Sequence, residues 1–124
     1  MGEPIRERLP SERCAINHRF CIGGHKGYLT VGLYGDGRPG EIFIKMAKMG
    51  STVNGLVDSF AIAVSMGLQH GVPLEKLVEK FTNVRFEPMG RTQNPQISEA
   101  ESIVDYIARW MKLKFLSIEK GGVS

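Results

Sequence analysis

Hydrophobic and polar residues alternate over residues 14–22. Cys14, Ile16, His18, Phe20 and Ile22 fall on one side, and Ala15, Asn17, Arg19 and Cys21 on the other. A period of two is the mark of a half-buried strand. Gly23-Gly24-His25-Lys26-Gly27 reads as the turn that follows. Residues 28–34 alternate again, with Leu29, Val31 and Leu33 opposite Tyr28, Thr30 and Tyr34. A second turn is expected over residues 35–40, where Pro39 argues against a central strand. Residues 41–47 form a third alternating run, with Ile42, Ile44 and Met46 on one side. Three strands joined by short loops predict an antiparallel meander.

The period then lengthens. Val53, Leu56, Val57, Phe60, Ala61, Val64 and Leu68 recur at helical spacing over residues 51–70. Gly50-Ser51 reads as its cap, and Gly71 stands where such a helix stops. Pro73 opens a short helix with Leu74, Leu77, Val78 and Phe81 on one side. Residues 84–87 read as a short edge strand ended by Pro88. A last helix is predicted from Pro95 or Ser98 to Leu116, with Ser98 and Glu101 as a capping box. Its stripe is Ile97, Ala100, Ile103, Val104, Ile107, Trp110 and Met111. The predicted class is α+β: a small antiparallel sheet covered on one face by two long helices and one short one. Residues 1–13 read as an arm or linker, 14–116 as the domain, and 117–124 as a fraying tail.

Composition narrows the field. At 124 residues, 42% hydrophobic and 23% charged, the chain is an ordinary globular domain, not a disordered one. No uninterrupted apolar run approaches the ~20 residues of a membrane helix. Residues 1–10 are charged and lack the apolar core of a secretory leader, so a cytoplasmic setting and no membrane partner are expected. The formal net charge is +3, from 16 Lys and Arg against 13 Asp and Glu. No run of five like charges occurs, which argues against nucleic acid as a partner.

Few residues suggest chemistry. Cys14 and Cys21 fall on opposite strand faces, about 23 Å apart at ~3.3 Å per residue, too far for a disulfide. They match no CxxC motif, and His18, His25 and His70 have no zinc spacing. No metal or catalytic constellation is therefore expected, and His70 suits the negative end of a helix. Gly23-Gly24-His25-Lys26-Gly27 lacks phosphate-loop spacing and lies between two strands. Two loops remain as anion- or nucleotide-binding candidates. One enters the first helix and carries Lys48, Ser51, Thr52 and Asn54. The other carries Arg85, Arg91, Thr92 and Asn94, residue types that equally build an ordered turn.

A series of blocks in order carries a resemblance. They are Gly27-Tyr28-Leu29-Thr30-Val31-Gly32-Leu33-Tyr34, Pro39-Gly40-Glu41-Ile42-Phe43-Ile44, Gly50-Ser51-Thr52 and Asp58-Ser59-Phe60-Ala61-Ile62-Ala63. Gly71-Val72-Pro73-Leu74-Glu75, Arg85-Phe86-Glu87-Pro88 and Ser102-Ile103-Val104-Asp105-Tyr106-Ile107-Ala108-Arg109-Trp110 continue it. Together they resemble the TSCPD domain near the C-terminus of adenosylcobalamin-dependent (class II) ribonucleotide reductases. The motif that names that domain falls on Thr92-Gln93-Asn94-Pro95-Gln96, where only Thr92 and Pro95 match its letters. This places the chain with the long reductases rather than with the short stand-alone members. The resemblance implies an accessory or regulatory piece of such a reductase. The parents' thiyl and redox cysteines sit in a barrel upstream that this chain lacks. It implies no cofactor bound by this chain, with adenosylcobalamin belonging to the parent enzyme. The implied partner is the reductase catalytic core or a second copy of the chain. The alternative is a stand-alone protein of this fold that binds a nucleotide-like small molecule, one form being a phage-encoded binder of a signalling nucleotide.

Overall fold

The computed structural model describes residues 5–116. They contain β1 (Ala15–Ile22), β2 (His25–Leu33), β3 (Pro39–Met46), α1 (Ser51–Gln69) and α2 (Leu74–Phe81). Two short strands follow, β4 (Gly90–Arg91) and β5 (Glu99–Ala100), then α3 (Ile103–Met111) and a π-helical turn, Lys112–Leu116. β1, β2 and β3 form a sheet in that order, and β4 pairs with β5. The α+β class and the antiparallel meander are as predicted. The chain divides into two compact units. Among the described residues the first holds 5–19 and 27–73, and the second holds 20–26 and 74–116.

In the first unit, alternation sorts the strand residues by face. Leu29, Val31, Ile42, Ile44 and Met46 are buried, while Tyr28, Phe43 and Lys45 between them are exposed. Register follows from the same faces, since Leu29 opposes Ile44 and Val31 opposes Ile42. α1 packs on β3 and buries Val57, Ala61 and Val64. Leu56, predicted on the buried stripe, is 68% exposed, and Ile62 is 57% exposed. The helix instead anchors itself through polar side chains. The Ser65 hydroxyl accepts the Ile42 N–H at 2.8 Å, and Gln69 donates to the Gly40 carbonyl at 2.9 Å. By length and composition α1 does reach what a membrane span needs, contrary to expectation. Its bonds to strand backbone are those of a helix laid on a sheet.

Residues 6 and 7 of the N-terminal segment are bonded to the rest of the first unit. Glu7 N–H donates to the Gln69 carbonyl at 2.8 Å, and Arg6 Nε donates to the Gln69 side chain at 2.7 Å. The Tyr34 hydroxyl donates to the Glu7 carbonyl at 2.5 Å, and Arg38 grips the Glu7 carboxylate at 3.2 and 3.1 Å while lying 4.5 Å over the Tyr34 ring. The tail predicted over residues 117–124 lies outside the described residues.

The turns also differ from the reading of the sequence. The first is only Gly23-Gly24, with φ of 55° and 86°, and β2 starts at His25. That pair of positive angles is a type I′ hairpin turn, which glycine adopts without strain. Pro39 begins β3, where it opposes Leu33 beyond a register shift. β3 is an edge strand, so a proline at its first position costs no ladder bond. Gly50, not Ser51, caps α1, and it offers no side-chain bond.

In the second unit, the predicted last helix is much shorter. Residues 95–101 form a turn and β5, and α3 begins at Ile103. The cap is Ser102, whose hydroxyl accepts the Asp105 N–H at 2.9 Å, not Ser98. Ile97 and Ala100 are buried from the turn and from β5. Residues 84–87 are not a strand; the short strand falls at Gly90–Arg91.

Asp105 explains this arrangement. Its carboxylate has no exposed surface, yet it accepts three hydrogen bonds. They come from Asn83 N–H at 2.6 Å, Glu101 N–H at 2.8 Å and Arg109 Nε at 3.0 Å. Arg109 in turn donates to the Asn83 side chain at 2.8 Å. Asn83 holds a φ of 72°, the left-handed conformation that ends helices such as α2. The Ser102 hydroxyl donates to the Val84 carbonyl at 2.6 Å. One buried carboxylate thus joins the end of α2 to the start of α3. Asp105→Ala leaves two backbone donors and Arg109 without their acceptor and should destabilise the protein by about 3–5 kcal/mol. Urea denaturation followed by circular dichroism measures it, and a loss below about 1 kcal/mol would contradict this role.

Two tyrosines make stability depend on pH. Burial pushes the Tyr34 hydroxyl above the ordinary value of 10.0, with the nearby Glu7 charge adding to it. Burial does the same to Tyr106, against a smaller opposing effect of its Asn94 hydrogen bond. The folded state therefore holds these protons more tightly than the unfolded chain. Their contribution is complete below pH 10.0 and is lost as pH rises through the raised folded values. Urea midpoints should fall above about pH 10, and Tyr34→Phe with Tyr106→Phe should flatten that fall.

Candidate functional site

The two candidate loops lie in different compact units, Lys48 to Asn54 in the first and Arg85 to Asn94 in the second. In the first, the chain leaves β3 and turns through Lys48, whose φ is 58°. Lys48, Ser51 and Thr52 are exposed. The Asn54 N–H makes the first turn's bond, to the Gly50 carbonyl at 3.2 Å. With Gly50 as the cap, no side chain meets the N–H groups ahead of it, and these are the groups that attract anions. Asn54 has another task. Its Oδ1 accepts the Met46 N–H at 2.9 Å, and its Nδ2 donates to the Met46 and Met49 carbonyls at 3.0 and 3.1 Å. Asn54 closes the β3–α1 turn, leaving Lys48, Ser51 and Thr52 as the groups that face solvent.

In the second loop, polar side chains again point inward. The Thr92 hydroxyl donates to the Ile97 carbonyl and accepts the Asn94 N–H at 3.0 Å. The Asn94 Nδ2 donates to the Tyr106 hydroxyl at 3.1 Å, and its Oδ1 accepts the Gln96 N–H at 2.9 Å. Tyr106 is itself buried and stacked on Phe20, ring centres 5.0 Å apart. Thr92 also bridges to Ile22, and the Arg91 carbonyl accepts the Gly23 N–H at 2.8 Å. Arg85 pairs with Glu101 at 3.4 Å, and the Arg91 side chain is exposed. Of the four residues, Thr92 and Asn94 build the loop, while Arg85 and Arg91 face water.

The cysteines and histidines form no cluster. Cys14 and Cys21 are free thiols. His25 lies in β2, not in a turn, and His70 caps α1 with its Nδ1 2.8 Å from the Met66 carbonyl. Among the described residues, no three His, Cys, Asp or Glu side chains stand close enough to hold a metal ion. The residue that the reading of the sequence passed over is Asp105. Its signal was present, since Ser102-x-x-Asp105 has capping-box spacing just as Ser98-x-x-Glu101 does.

With this geometry in hand, comparison with known proteins assigns a class. The TSCPD domain model matches residues 4–115, and the chain belongs to that family. Three similar curated proteins are each named vitamin B12-dependent ribonucleotide reductase. That of Rhodopirellula baltica is 59% identical over 115 residues, 93% of this chain but 11% of its own length. That of Streptomyces avermitilis is 54% identical over 116 residues, 94% of this chain and 12% of its own. That of Agrobacterium fabrum is 49% identical over 112 residues, 90% of this chain and 9% of its own. The chain thus spans only a small part of these relatives and is a TSCPD domain like theirs. No solved structure gives a significant match.

Asn54 provides a test of which loop residues carry structure. Asn54→Ala removes three hydrogen bonds and should cost about 1–3 kcal/mol of stability. Ser51→Ala, which removes no cap bond, should stay within about 0.5 kcal/mol. Urea denaturation of both variants checks the contrast.

Proposed function

We propose that this chain serves as an accessory domain of a vitamin B12-dependent ribonucleotide reductase and does not carry out the reduction itself. The observation that carries this reading is 59% identity across 93% of the chain, confined to 11% of a reductase. Identity that high over nearly the whole domain supports the same fold in this chain and in the matching segment of the reductase. The catalytic radical chemistry, and the adenosylcobalamin that the name of the relatives implies, then belong to the rest of the enzyme. The partner is the reductase core, and the setting is cytoplasmic. Within this reading, Lys48, Ser51 and Thr52 at the uncapped start of α1 are one candidate surface for a phosphorylated ligand, and Arg85 and Arg91 of the second loop are a separate one.

The experiment is complementation in the test tube. The matching segment is deleted from a similar reductase, and this chain is added back with adenosylcobalamin, dithiothreitol and a ribonucleotide. The expected outcome is lowered turnover by the truncated enzyme, restored by this chain, and no turnover by this chain alone. Full activity of the truncated enzyme together with no association between the two proteins would overturn the accessory role. Cofactor-dependent turnover by the chain alone would overturn its non-catalytic status.

A further inference from the structure

The first unit has a sheet face that α1 does not cover. The tight Gly23-Gly24 turn sets the register of β1 on β2, and two bonds along the first unit's strands report it. The Thr30 hydroxyl donates to Asn17 Oδ1 at 2.8 Å, and the Leu33 N–H donates to the Cys14 carbonyl at 3.0 Å. Arg19 therefore stands opposite Tyr28, and Tyr28 opposes Lys45 on β3. One rung across the sheet reads Arg19, Tyr28, Lys45. The next reads Asn17, Thr30, Phe43, since Thr30 opposes Phe43.

These two rungs have unusual chemistry for a solvated face. Tyr28 is 45% exposed and Phe43 is 54% exposed. They are diagonal neighbours on adjacent strands, a separation of roughly 7–8 Å. Arg19 and Lys45 flank Tyr28 on its rung, both exposed, and neither makes a salt bridge among the described residues. The carboxylate on the following rung, Glu41 opposite Gly32, is already held by Arg13 at 2.7 Å. The Asn17 amide keeps its N–H donors on the rung of Phe43, across Thr30 from it, because only its Oδ1 is engaged by Thr30. The face offers two ring surfaces, two free cations and amide donors, with no free carboxylate.

We propose that this face binds single-stranded nucleic acid, with two unpaired bases stacked on Tyr28 and Phe43 and the adjoining phosphates on Arg19 and Lys45. Every base has a π-face, so aromatic rings on an open sheet hold a strand with little regard to sequence. The cations on the two sides of Tyr28 track the backbone. A free nucleotide fits less well, because small molecules are held in concave sites that enclose most of their surface, and this face is open. A second copy fits less well too, since it would bring more cations to a face with no free carboxylate to meet them. The whole-chain charge count argued against nucleic acid because it averages over surfaces. The cations here are gathered beside two rings that the alternation turns outward.

The test is fluorescence anisotropy of a labelled oligothymidylate with the full chain. Binding is expected at low salt. Tyr28→Ala and Phe43→Ala should each weaken it roughly ten- to a hundredfold, and Phe43→Leu should weaken it similarly, because leucine keeps apolar area but not the π-face. Arg19→Ala and Lys45→Ala should each reduce the slope of log affinity against log salt by about 0.7. Lys76→Ala, on α2, should change nothing. Photo-crosslinking of the unaltered chain to a bromodeoxyuridine oligonucleotide should label the peptides holding Tyr28 or Phe43, so the proposal can be judged even if a variant fails to fold. Absence of binding at low salt would overturn it. So would losses shared equally with Lys76→Ala, which mean diffuse attraction. Aromatic-dependent binding to an acidic peptide or to a reductase core, with none to the oligonucleotide, would assign the face to a protein and overturn it as well. None of these outcomes bears on the accessory role proposed above.

Discussion

A carboxylate with no exposed surface is held in the second unit by two backbone N–H groups and a guanidinium. An isolated charge there would be costly, and only a full set of donors makes burial tolerable. Asp105 receives that set because Asn83 turns left-handed just past α2 and because Ser102 caps α3. The constraint acts in both directions. The donors fix where α2 ends and α3 starts, and those ends fix the loop between them, where Ser102 also bonds the Val84 carbonyl and Phe86 N–H donates to the Glu101 carbonyl at 3.1 Å. The loop that presents Arg85 and Arg91 hangs on this arrangement. Its Thr92 and Asn94 supply the remaining internal bonds, the latter through a buried tyrosine.

The first unit is organised by a different logic. α1 carries Asp58 as its only charged residue and meets β3 through Val57, Ala61 and Val64. Direction along the strand comes from three polar anchors: Asn54 near the start, Ser65 in the middle and Gln69 at the end. Apolar contact alone would let a helix slide along a sheet, whereas hydrogen bonds to strand backbone do not. The same residue types that suggest ligand binding in a sequence serve here to set a helix in place.

That dual use of polar residues explains what could be read from the sequence. The three strands were legible because a period of two survives in every one of them, and α1 was legible from its caps and stripe. The start of α3 was not. Ile97, Ala100, Ile103 and Val104 keep helical spacing across a turn and a short strand, so the pattern runs on where the helix does not. Two capping boxes competed, and the winner was decided by Asn83, a residue distant in sequence whose N–H donates to the Asp105 carboxylate. For the candidate loops, residue type could not tell inward from outward. Asn54, Thr92 and Asn94 turn in, while Lys48, Ser51, Thr52, Arg85 and Arg91 turn out. The outward direction of Tyr28 and Phe43 was legible from alternation. Their company of cations was not, because it depends on register between strands.

The chain passes from one compact unit to the other in the middle of a hairpin, since residues 20–26 belong with residues 74–116. Ile22 bridges to Thr92, and Gly23 N–H donates to the Arg91 carbonyl. The second unit therefore lacks an edge for its own loop until the N-terminal hairpin arrives. A polypeptide starting at Leu74 would be missing that strand end, and one stopping at Pro73 would carry the buried side chains Phe20 and Ile22 with nothing from the second unit to bury them. Contacts over such sequence distances close loops of about fifty residues or more, which places this topology among the slower folders. During synthesis the hairpin leaves the ribosome first and waits, its tip unmatched, until the chain around Thr92 has followed. The two units are separable as regions of contact but not as pieces of sequence.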